Sequence, residues 1–125
     1  MMKYIVLMML PFLANACAHD EAYYRLHMTQ LQAVINQCPT NPPTGVTCVQ
    51  LQKIALNANA LADELRMSPQ GFGQKILSLQ EAISADEASL KINKHQPALQ
   101  ESIMLHKRQL DERLAVVKWL ESPRA

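Results

Sequence analysis

Cysteine is the residue of this sequence best able to do covalent chemistry, and there are three of them. Cys38 and Cys48 close the stretch "CPTNPPTGVTC", ten positions apart around a proline-rich loop. That spacing lacks the close Cys-x-x-Cys pairing and neighbouring ligands of zinc or thioredoxin-type sites. It fits a disulfide, and so a chain that matures in an oxidising compartment. Closing such a loop stabilises a fold by about 2–3 kcal/mol in the chain-entropy account. Cys17 is left without a partner. An exported protein seldom keeps a free thiol, so Cys17 is expected to be either cut away or chemically capped.

The other reactive side chains do not assemble a reaction. His19, His27, His95 and His106 form no pair on one helical turn and no His-Glu-x-x-His arrangement. His106 reads as a boundary residue beside the apolar stripe of its helix. The six serines lack a Gly-x-Ser-x-Gly elbow. Asp63-Glu64, Asp86-Glu87 and Asp111-Glu112 are adjacent pairs, which point about 100° apart on a helix and read as solvated faces. Arg108 and Glu112 have the spacing of an i,i+4 pair. No enzyme and no cofactor is expected. One metal reading stays open: cleavage before Cys17 without acylation exposes "CAH", whose amine and His19 could chelate copper, and cleavage after Ala18 puts His19 itself at the terminus.

"SPQGFGQK" places Gly71 and Gly73 in the first turn of a helix, where each costs up to about 1 kcal/mol relative to alanine. Either the glycines allow close packing around Phe72, or they let a partner helix or an anion approach near Lys75. Trp119, the single tryptophan, either caps the core or anchors another protein. Gly71, Phe72, Gly73 and Trp119 are therefore the candidate partner-binding residues.

Near the start stand Lys3 and the apolar run "YIVLMMLPFLA", a charged start and a core of about ten residues, too short to span a bilayer comfortably. "ANA" fits the small-x-small rule for cleavage after residue 16, and "ACA" fits it for cleavage after residue 18. "LANAC" resembles the lipobox of bacterial lipoproteins, in which the cysteine becomes the acylated N-terminus. Asn15 stands where that family has a small or apolar residue, and Leu13 lies one place further out than its pattern. The resemblance implies lipid attachment at Cys17, and Ala18 after it implies sorting to the outer membrane. Residues 1–16 are thus read as a signal peptide and 17–125 as one domain.

Elements that position these residues follow from apolar spacing of three and four, the period of a helix face. The stripes run through Tyr24, Met28, Leu31, Ile35 and Cys38; Leu51, Ile54, Ala58, Leu61 and Leu65; Phe72, Ile76, Leu79, Ile83 and Leu90; and Leu99, Ile103, Leu110, Leu114 and Val117. Helices are predicted over about 21–37, 49–66, 69–94 and 97–121. Pro39, Pro42, Pro43 and Gly45 shape the first link, Ser68-Pro69 opens the third helix, Pro97 opens the fourth and Pro123 ends it. Short links make neighbours antiparallel, giving an all-α bundle of about four helices with one disulfide-closed hairpin. Val34, Leu56, Leu77, Ile92, Met104 and Val116 lie off the stripes, which predicts a wider core or a binding patch.

Twelve basic against eleven acidic residues supply no field for nucleic acid. The expected protein is an exported, non-enzymatic envelope component in the periplasm or on the inner leaflet of the outer membrane. Its partners are other envelope proteins, and it meets the membrane through the lipid. In outline it is similar to small lipoproteins of bacterial secretion machines, pilotins and core-complex accessories among them. A periplasmic metal- or small-molecule-binding protein, or a secreted effector, is the alternative.

Overall fold

The computed structural model describes residues 19–122, so the leader, Cys17 and Pro123 lie outside the described residues. Those residues form five helices and no strand: α1 (Glu21–Leu26), α2 (Met28–Ile35), α3 (Cys48–Met67), α4 (Pro69–Ile92) and α5 (Pro97–Glu121). The all-helical bundle and the disulfide that the sequence predicts are both present.

The first predicted helix is divided. His27 leaves the helical region at φ −123°, ψ 78°, and its Nδ1–H donates to the carbonyl of Tyr23 at 2.7 Å. A continuing helix would offer that carbonyl to the backbone N–H of residue 27; the imidazole takes the place and the chain turns. Tyr23 is held between two imidazoles, His19 at 3.6 Å and His27 at 3.9 Å between ring centres. α2 then tightens after Ile35 into i→i−3 bonds, Gln37 N–H to Val34 and Cys38 N–H to Ile35, and does not reach residue 37 as a regular helix.

Local signals set the other boundaries. Asp20 caps α1 by accepting from the Tyr23 N–H at 3.0 Å. Thr47 and Gln50 form a reciprocal capping box at the start of α3, worth about 1 kcal/mol. Ser68 ends α3 with its N–H on Glu64 and starts α4 with its hydroxyl accepting from Gly71 at 3.1 Å. A single residue therefore turns the chain from one helix into the next. Gly45 has φ 89°, a conformation that favours glycine. Its turn delivers Val46 into the core, and Cys48 meets Cys38 with a Cα–Cα distance of 6.0 Å.

Two regions result. In the body, Tyr24, Met28, Leu31, Val46, Leu51, Ile54, Ala58, Ala62 and Val116 share one core, with Trp119, Leu120 and Cys38 packed around it. The last helix is rotated from its predicted stripe. Val116, expected off the stripe, is 1% exposed, whereas Leu114 is 44% exposed. The cause is that α3 packs across the lower half of α5 and claims a second side of it. α4 touches α3 and α5 but neither α1 nor α2. Beyond the body α4 and α5 continue as a two-helix arm in which, among the described residues, Ile83 and Ile103 are the buried side chains, each still slightly exposed.

Candidate functional site

The root of the arm is where α3, α4 and α5 meet, and it carries charge. α3 and α4 diverge from Ser68 like the limbs of a V, with α5 as the floor. Near the apex Glu64 accepts from Lys75 Nζ at 2.7 Å and from both terminal nitrogens of Arg113 at 3.2 and 3.3 Å. Lys75 first, then Arg113, holds the Glu64 carboxyl below its ordinary value of 4.5. Arg113 also lies over the Phe72 ring, 4.8 Å from its centre, which seals a side chain only 1% exposed. The mouth of the V is a cavity of about 480 Å³ between Leu61, Lys75, Leu79, Ala82, His106 and Arg113.

Further along, Glu112 accepts from Asn57 at 2.9 Å and Arg108 at 3.1 Å, with Arg25 at 3.8 Å. The predicted Arg108–Glu112 pair is thus one part of a junction joining α1, α3 and α5. Higher on the arm Asp86 accepts from Ser102 Oγ at 2.8 Å and pairs with His106 Nδ1 at 3.2 Å. Serine, histidine and aspartate meet here, but the hydroxyl donates to the carboxylate and the same ring nitrogen faces both partners. A nucleophile relay needs the serine on one ring nitrogen and the carboxylate on the other. The arrangement is a clamp between helices. Lys107–Glu87 at 3.1 Å adds a second tie on the outside of the arm.

The candidate residues named from sequence are not gathered in one place. Phe72 is interior. Gly71 sits against its own cap, where an added Cβ would come 2.8 Å from Ser68 Oγ, whereas Gly73 faces open space. Trp119 is half-buried in the body, on a groove of about 350 Å³ with Met28, Leu31, Ile35, Ala55 and Ala58. Cys38 and Cys48 are joined. Of the off-stripe positions, Leu56, Leu77, Ile92 and Met104 are exposed, while Val34 packs on the core.

Sequence reading missed the polar seam. A signal for it exists: the α4 stripe skips from Ile83 to Leu90 and the α5 stripe from Ile103 to Leu110. Asp86 and His106 stand in those two gaps and face each other. Acidic pairs taken as solvated faces thus each turn one member inward, Glu64, Asp86 and Glu112.

The exposed face of α3 is unusual. Val49, Leu56 and Met67 are 61%, 70% and 87% exposed. Spacings of 7 and 11 put them in one row, with Ala60 between, opposite the core-facing Leu51, Ile54, Ala58 and Ala62. Among the described residues no group of three or more His, Cys, Asp or Glu is placed to hold a metal ion, and no helix is long and apolar enough to cross a membrane. Compared with known proteins, the chain matches no family model, no curated protein and no solved structure.

Proposed function

We propose that this chain is an exported, non-enzymatic envelope protein that works by contact with other envelope proteins, as an accessory or structural component of a secretion machine. It is tethered through an acylated Cys17 to the inner leaflet of the outer membrane. The row Val49, Leu56 and Met67 carries the reading. A helix that keeps its core face buried and still presents large apolar side chains in one row on the other side suits docking of an amphipathic helix. The Cys38–Cys48 bridge supports maturation outside the reducing cytosol.

The test has two arms. Mass analysis of the N-terminal peptide of the protein recovered from cells is expected to show a lipid-modified Cys17, and an intact residue 1–16 segment would refute export. A photo-crosslinking side chain in place of Leu56 is expected to capture one envelope protein, with the adduct lost on adding Met67→Glu. Adducts that are absent, or indifferent to Met67→Glu, would remove α3 as the docking face.

A further inference from the structure

The far end of the arm is apolar and basic together. Ile92 closes α4 with 84% of its surface exposed. Lys91 precedes it, and Lys94 and His95 follow in the link to Pro97. No acidic residue occurs between Glu87 and Glu101. Lower on the molecule Lys75 and Lys107 are each matched to a carboxylate; Lys91 and Lys94 have no acidic partner among the described residues. The C-terminus of α4 and the N-terminus of α5 lie side by side here, so their opposed dipoles offset one another and the side chains set the sign. The tip is cationic.

The direction of α1 gives this tip a meaning. Glu21 borders the same groove as Leu105 and Arg108. Arg25 reaches Glu112, and His27 and Met28 border a groove with Ala115 and Trp119. α1 therefore runs beside α5 in the same sense, with its N-terminal end at Asp20 toward the arm tip. From Leu105 back to Pro97, α5 rises about 12 Å. The three steps from Asp20 to Cys17 span at most about 10 Å. Fully extended, that stretch falls about 2 Å short of the rise, a gap that a slight tilt of the arm against the membrane closes.

We propose that Lys91, Ile92, Lys94 and His95 dock on the anionic phospholipid headgroups of the membrane that holds Cys17, giving the protein a second, non-covalent foothold. The proposal rests on the tether reading above. Lipid chains and a basic patch together anchor more firmly than either alone, and each lysine near an anionic leaflet strengthens binding roughly fivefold. Ile92, flanked by these cations, is placed to enter the headgroup layer. Two footholds would stand the arm on the membrane and leave the Val49–Leu56–Met67 row accessible from the side.

The exported full-length protein is cosedimented with phosphatidylcholine vesicles, with and without phosphatidylglycerol. Association is expected to be about tenfold or more tighter on the anionic vesicles, to fall with added salt, and to lose its lipid preference in Lys91→Glu/Lys94→Glu. Both lysines are exposed, so the variant keeps the fold, and an unchanged helical spectrum checks it. Equal binding to the two vesicle types, or a preference that survives the double substitution, overturns the proposal. A photo-crosslinker replacing Ile92 that captures an acidic protein in cells, and no lipid, overturns it too. The N-terminal mass separates the two claims. An acylated chain indifferent to lipid charge ends the tip proposal and keeps the tether; an unmodified chain that prefers anionic vesicles ends the tether, and with it the second foothold, and leaves the tip as a lipid contact by itself.

Discussion

The body and the arm of this molecule hold themselves together by different means. In the body three helices and the lower half of α5 surround nine buried side chains, and a covalent bridge closes the loop beneath them. In the upper arm two helices meet along a seam with Ile83 and Ile103 buried, and between and around these the ties are polar: Asp86 with Ser102 and His106, and Glu87 with Lys107. Burial scales with area and tolerates no water. Exposed or half-exposed ion pairs each contribute about 0–1 kcal/mol and weaken with salt. Stability therefore falls from the body toward the tip, with the Glu64–Arg113–Phe72 cluster as the step between them.

The largest effect should come from the body. Leu51→Ala empties a fully buried site and is expected to cost about 2–5 kcal/mol, read as a lower midpoint in denaturant. Ile83→Ala in the arm should cost clearly less, since its neighbours can collapse or admit water; equal losses would end the distinction. Reduction, or Cys38→Ser with Cys48→Ser, should cost about 2–3 kcal/mol. Hydrogen exchange should locate that loss in α2 and α3 and leave the upper arm amides as they were. Asp86→Ala is expected to remove about 1 kcal/mol and to speed exchange only in α4 and α5 beyond the body.

Acid gives the smallest and most specific effect. Because the folded Glu64 carboxyl lies below 4.5, its ion pairs stabilise the fold in full above that pH, and the contribution disappears as pH falls through the lower folded value. Stability of Glu64→Gln should therefore lie below that of the parent near neutrality and converge with it in acid. Parallel curves across the whole range would remove Glu64 from the junction.

Most of the helical architecture was legible because helix faces repeat and prolines and caps punctuate them. The last helix, 97–121, runs over the span expected of it. What was not legible depends on contacts between elements. The break at His27 comes from a side chain competing with its own backbone, and histidine carries no strong local signal for that. The exchange of Leu114 for Val116 in the core reflects α3 lying across α5, which a single-helix stripe cannot encode. Val46 enters the core from a loop because Gly45 turns it there. The polar seam was written as two gaps in otherwise regular stripes, a weak mark until both helices are seen together. As for the candidate site, the glycine–phenylalanine segment and the tryptophan proved to belong to separate places, while the exposed Leu56 belongs to a row that also takes in Val49 and Met67.

The position of Trp119 has a practical consequence. As the lone indole it packs against the core of the body and borders a groove with Met28 and Ala58, so its emission follows the melting of that half alone. Far-ultraviolet dichroism counts every helical turn, including those of the upper arm. Followed together through a urea titration, the two signals should separate, with dichroism beginning to fall first. Superimposed curves would mean that both halves melt as a single cooperative unit.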